Sequence, residues 1–179
     1  IKTVFEKEFG GEVVAETYTS DASDFRTQIL KLKGAEVDAY FVNPQSPPKA
    51  DLLFKQLKEQ GVTGPFLLND VAIGFNETIK AFAEYLEGAV GAEATYDRES
   101  ADFKKLSEAY TAKFSEELPS PTYMATAYDA VYIMKDALEA AGGAEDTVKI
   151  RDFLYGIKDR AGLSGSLTIN QNGDPMSGH

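Results

Sequence analysis

Apolar and polar residues come in blocks whose period changes along the chain. Ile1, Phe5 and Phe9 recur at helical spacing until Gly10-Gly11 interrupts them. EVVAETY then reads as a strand. Ser23-Asp24 form an N-cap region for a helix carrying Phe25, Ile29 and Leu32 on one stripe, and Gly34 ends it. VDAYFV, residues 37–42, is nearly continuous in apolar character. Such a run predicts a strand buried on both faces, as in a parallel sheet covered by helices. The next helix places Ala50, Leu53, Phe54 and Leu57 on one face and Lys55, Lys58 and Glu59 elsewhere, with Gly61 as its stop. PFLL is a further strand. Ile79, Phe82, Ala83 and Leu86 predict another helix, ended by Gly88. AVGAEATY predicts a strand, and Phe103, Leu106, Tyr110 and Phe114 predict a longer helix.

This βαβα succession predicts an α/β fold, a doubly wound, mostly parallel sheet with helices on both faces. Leu118-Pro119-Ser120-Pro121 breaks it, because two prolines so close favour an extended linker. Residues 122–141 form a helix that is apolar on more than one side: Met124, Tyr128, Val131 and Met134 against Ile133, Ala137 and Ala141. A helix of that kind needs partners on several faces. A shorter helix from Val148 to Ile157, a short strand SGSLTI and a turn at Asn172-Gly173 follow. With no second strand after that turn, the pattern predicts a chain that ends early.

Composition then removes whole classes of function. The formal net charge is -11. Nucleic acid and anionic membrane surfaces both require a basic patch, so neither is expected as a partner. The chain has no cysteine, and its one histidine is His179. Zinc or iron–sulfur sites built on Cys and His, a Cys nucleophile and an internal Ser-His-Asp relay are therefore excluded. No apolar run approaches the roughly 20 residues of a membrane-spanning helix. No phosphate-binding glycine loop is present. Gly10-Gly11, Gly88 and Gly91 lie at helix-to-strand junctions and read as helix caps. Glu99, Asp102, Glu108, Glu116 and Glu117 read as a solvated face, and no two acids stand out as a hydrolytic pair. Neither a cofactor nor catalysis is expected.

Two successive strands end in small polar or acidic residues. In an open α/β sheet, ligands bind beyond the carboxyl ends of the strands. Asp70 directly follows PFLL and Asn69. It reads either as a helix N-cap or Asx-turn, or as a carboxylate aimed at a ligand cation. Asn43, Gln45 and Ser46 hold the equivalent place after VDAYFV, stiffened by Pro44, Pro47 and Pro48. They read either as a turn opening a helix or as a rigid recognition loop. Tyr123, just after the proline pair, is either a core aromatic or an aromatic wall of a pocket.

FEKEFGGEVVAETY, SDFRTQILKLKGAEVDAYFV and LLFKQLKEQGVTGPFLLND, in this order and spacing, resemble type I periplasmic solute-binding proteins of the branched-chain amino-acid-binding branch. The likeness continues in YMATAYDAVYIMKDALEAAGG and GLSGSLTINQNGD, so it spans nearly the whole chain. The same fold serves the ligand-sensing portions of some receptors and regulators, which is the alternative function.

The resemblance implies a periplasmic or extracellular component of an ABC importer, compatible with a lipid anchor. Its partners would be a small ligand, such as an amino acid, and a membrane permease. Two α/β lobes would close on the ligand by a hinge motion. Against that pattern the chain matches only the C-terminal part. Residues 1–118 would be the C-terminal lobe, 119–121 a hinge crossover, 122–165 helices of an incomplete N-terminal lobe, and 166–179 a truncated strand, turn and tail. The uncovered face of 122–141 would then drive self-association. Asp70 falls where the branch places an acid against the ligand's α-ammonium group. Ser46, with Gln45 beside it, falls in a loop that contacts the ligand, as Asn69 does in the second strand end, and Tyr123 falls where an aromatic lines the cleft. The loop Asn43-Pro44-Gln45-Ser46-Pro47 departs from the family pattern in lacking its glycines and aromatic residue, and Asp70 is shorter than the usual glutamate.

Overall fold

A computed structural model describes residues 1–178; His179 lies outside the described residues. The chain divides into two compact units, Ile1–Ala92 and the remainder from Glu93. The first contains α1 (Lys2–Phe9), α2 (Arg26–Gly34), β1 (Tyr40–Val42), α3 (Pro47–Glu59), β2 (Phe66–Leu68), α4 (Asp70–Ile73), α5 (Asn76–Phe82) and β3 (Val90–Gly91). The three strands form one parallel sheet in the order β1-β2-β3. Tyr40 pairs with Phe66 and Val42 with Leu68, so β1 and β2 end level and the loops that leave them are neighbours.

Strand residues alternate between the two faces of a sheet. Val42, Phe66 and Leu68 turn into a core completed by Phe25, Ile29, Ala50, Leu53, Phe54 and Leu57. The face predicted for α3 is therefore the face it buries. The other side of the sheet differs from expectation. Phe41, Leu67 and Val90 lie side by side in register and keep 43%, 43% and 65% of their surface exposed. The continuous apolar run 37–42 is not buried on both faces, because only one layer of helices packs on this sheet within the unit. Two other expectations also change. EVVAETY forms no strand. The helix expected over Ile79–Leu86 stops at Phe82, and the chain turns from there to Gly88.

Gln56 shows why α2 begins where it does. The start of a helix leaves N–H groups without partners. Phe25, the residue before α2, donates its N–H to Gln56 Oε1 at 2.6 Å, and Gln56 Nε2 donates to Ser23 O at 3.2 Å. Asp24 Oδ1 accepts from Arg26 N at 3.0 Å. A buried amide of α3 thus does part of the capping that Ser23-Asp24 were expected to do alone. A buried N–H left unpaired there would cost about 1–3 kcal/mol.

The second unit contains α6 (Ala101–Phe114), α7 (Pro121–Ala141), α8 (Thr147–Tyr155), β4 (Arg160–Gly162), β5 (Gly165–Ile169) and β6 (Pro175–Gly178). Phe103, Leu118, Ala125 and Leu163 form its core. Leu118 and Ser120 are buried, Pro119 is exposed, and Pro121 opens α7, so the extended stretch expected at the proline pair leads directly into that helix. The turn at Asn172-Gly173 does have a second strand. β6 pairs antiparallel with β5, and Asn170 Oδ1 fixes the turn by accepting from Asn172 N at 2.8 Å and Asp174 N at 2.9 Å. The expectation of an unfinished hairpin is thereby corrected; β6 lacks the apolar run that would have announced it. Asp129 on α7 accepts from Leu163 N, Ser164 N and the Ser164 hydroxyl at 2.8, 2.8 and 2.6 Å, which fastens the β4–β5 turn to that helix.

Tyr85 gives the first unit a titration signature. Its hydroxyl donates to Val62 O at 2.8 Å and its ring lies 5.2 Å from Phe66. Burial, with a smaller contribution from Tyr40, pushes its pKa from 10.0 up to about 12. The unfolded chain therefore ionises first. Stability from neutral Tyr85 is complete below the unfolded value of 10.0 and is lost as pH rises through the folded value of about 12. Denaturant midpoints are expected to fall across that interval, and Tyr85→Phe is expected to flatten the fall. Identical pH profiles for the two proteins would refute the assignment.

Candidate functional site

The carboxyl ends of β1 and β2 meet through a single side-chain amide. Asn69 follows β2 and is the N-cap of α4, where its Oδ1 accepts from Ala72 N at 3.0 Å. Its Nδ2 donates to Asn43 Oδ1 at 2.7 Å and to Pro44 O at 3.1 Å. Both amide hydrogens are thus spent on the loop that leaves β1. Because the strands end in register, one short side chain spans the gap.

That loop is held from a second direction. The Tyr18 hydroxyl donates to Asn43 O at 3.3 Å. Burial raises the Tyr18 pKa, and the neighbouring Gln45 backbone only partly opposes the rise. Pro44 is fully buried beneath the loop, while Asn43 and Gln45 face solvent. Ser46 is half-buried and precedes α3 in an extended conformation, with Pro47 opening the helix. Lys49 and Ala50 donate their N–H groups to Ser46 O at 3.0 and 2.9 Å. The Ser46 side chain is not used as a cap.

The capping role considered for Asn69-Asp70 falls to Asn69. Asp70 is the first residue of α4 and is exposed. The structure therefore gathers Gln45, Ser46, Asn69 and Asp70 at one end of the parallel sheet. Tyr123 belongs to the other unit, near the start of α7, and is partly exposed. The loop residues can offer hydroxyl, amide and carboxylate groups to a small polar molecule, and hydrogen bonds hold the loops that carry them.

Tyr18 is the member that the sequence reading passed over. A signal for it existed: it closes the apolar run EVVAETY, as Asn43 and Asn69 close theirs. The Arg151–Asp152 pair of the second unit is local and exposed, a setting in which such pairs contribute little.

Changing Asn69 to Asp keeps the cap oxygen but removes both donors to the β1 loop. Asn69→Asp is expected to speed amide hydrogen exchange at Gln45 while leaving α3 protected. Asn69→Ala also loses the cap and should destabilise the protein by about 1 kcal/mol more. Unchanged exchange at Gln45 in both variants would show that the amide does not hold the loop.

The sequence profile of a family described as periplasmic binding protein matches residues 3–178. The Leu/Ile/Val-binding protein BraC3 of Rhizobium johnstonii is 26% identical over 166 residues, covering 93% of this chain and 44% of the relative. A leucine-binding protein, LivK of Thermotoga maritima, superposes with a TM-score of 0.77 at 29% identity, over 95% of this chain and 48% of that one. The branched-chain amino-acid transporter substrate-binding protein LivJ of Streptococcus pneumoniae, solved with isoleucine, gives 0.71 at 27% identity, over 98% and 49%. The chain spans about half the length of these relatives. With nearly every residue inside the family profile and its α/β order reproduced in solved members, the chain belongs to the periplasmic binding protein family.

Proposed function

We propose that this chain supplies one wall of a small-solute site in the substrate-binding component of an ABC importer, with no catalysis. The proposed ligand is a branched-chain or similar amino acid. The observation that carries the reading is the pair of level strand ends, tied by Asn69, that presents Gln45, Ser46 and Asp70 at one edge. Leucine- and isoleucine-binding relatives support it. In this reading residues 1–118 form the C-terminal lobe, 119–121 lie at a crossover, and 122–165 pack on a second lobe. Asp70 meets the ligand's ammonium group, Ser46 and Gln45 contact its polar end, and Asn69 holds the frame. The proposed location is the periplasm or the cell exterior. Among the described residues no helix is long and apolar enough to cross a membrane.

A carboxylate–ammonium pair in a water-poor site costs about 3–5 kcal/mol when one partner is removed. In the full-length polypeptide, Asp70→Ala should therefore weaken L-leucine binding by about two to three orders of magnitude, at roughly 1.4 kcal/mol per decade. The keto acid of leucine, which lacks the ammonium group, should bind the wild type poorly and lose little more in the variant. Titration calorimetry with the two probes tests this; equal losses for both, or none, would remove Asp70 from the ammonium site.

The second-lobe assignment has its own consequence. Val131 and Met134 are exposed and fall on one side of α7. Uncovered, that stripe should bring copies of the 179-residue chain together. Sedimentation velocity is expected to show mass rising with concentration, and Val131→Glu with Met134→Glu to abolish the rise. A monomer at every concentration would count against the stripe as a contact face.

A further inference from the structure

The segment Tyr18–Phe25 has no regular secondary structure beyond a turn, yet three side chains stitch it to α3 and to the loop before it. Gln56 holds its far end through Ser23 O and Phe25 N. Lys49, on the first turn of α3, donates to Ala22 O. Tyr18 holds the near end, and its hydroxyl donates to Asn43 O in the loop that carries Gln45 and leads to Ser46. The Tyr18 ring packs 4.8 Å from the Phe25 ring, whose own N–H is fixed by Gln56. The hydroxyl therefore stands on an anchored base.

This arrangement differs from an aromatic that merely fills space. A ring serving only the core would need no polar tip aimed at a loop. Here the tip donates to Asn43 O, the carbonyl next to the buried Pro44. Asn69 grips the same short stretch from the β2 side, through Asn43 Oδ1 and Pro44 O. Two side chains from different parts of the sequence thus clamp one peptide stretch, and the Gln45 and Ser46 side chains project from the clamped part.

We infer that Tyr18 is a positioning residue for the solute site: its hydroxyl fixes the loop Asn43–Ser46 in the orientation that presents Gln45 and Ser46. The inference rests on the proposed solute-binding reading. Tyr18 acts through the loop backbone and is not itself assigned a ligand contact. The loop lacks glycine, so its backbone is already restricted, and the hydroxyl selects among the few orientations left.

Tyr18→Phe tests this in the full-length polypeptide, because it keeps the ring against Phe25 and removes only the hydroxyl. Amide hydrogen exchange, measured without ligand, should speed up at Gln45 and stay unchanged at Phe54 and Leu57. The dissociation constant for L-leucine should rise about three- to tenfold, the effect of losing a hydrogen bond of ordinary net strength. It is measured where denaturation curves show both proteins fully folded, so lost stability cannot mimic the effect. Ile29→Val, a core change away from the loop, should lower stability while leaving affinity unchanged. A Tyr18→Phe protein with wild-type Gln45 exchange, or with faster exchange but unchanged affinity, overturns the positioning role. If the wild type takes up neither L-leucine nor L-isoleucine, the solute reading itself fails, and the exchange result separates that failure from one at Tyr18.

Discussion

The Asn69 amide is the constraint on which the presentation of the polar loops depends. β1 and β2 are three residues each and cannot by themselves fix the loops that follow them. Their parallel register brings the two exits level, and Asn69 then uses its oxygen to start α4 and its nitrogen to hold the β1 loop. One side chain so links a helix start, a strand end and a recognition loop. A hydrophobic side chain in that place could pack, but it could not satisfy two carbonyl-type acceptors and a helix N–H at once.

Hydrophobic burial and polar fastening do separate work in the first unit. Phe54, Leu57, Phe66 and Leu68 supply the non-directional attraction that collapses α3 on the sheet. Such attraction does not specify where an irregular segment lies. That is set by directional bonds: Gln56 to Ser23 and Phe25, Lys49 to Ala22, and Tyr18 to Asn43. The candidate site is built mainly from the directional part. A loop that receives ligand needs a defined shape and exposed side chains together, and backbone-directed hydrogen bonds give both.

Legibility in the sequence followed how local each feature is. The helical stripe of Ala50, Leu53, Phe54 and Leu57 was read correctly because side chains at that spacing share a face in any helix. α6 and α7 were legible for the same reason. Strands fared worse. EVVAETY has strand propensity but forms no strand, and β6, Pro175–Gly178, has a partner with little propensity. Phe41 and Leu67 look like core residues in sequence, and only the number of covering layers decides that they are exposed.

By itself, the sequence determined the α/β order, the helix faces, the absence of Cys and His chemistry and the strand ends at Asn43 and Asn69-Asp70 as the place to look for a site. Those properties are set within a few residues of chain, by periodicity and by side-chain type. Tertiary structure alone decided that Asn69 rather than Asp70 caps α4, that Gln56 caps α2 from another helix, and that Tyr18 grips a loop 25 residues further on. The reason is physical: a hydrogen bond between distant segments depends on where collapse has brought their backbones, and no local pattern encodes that distance.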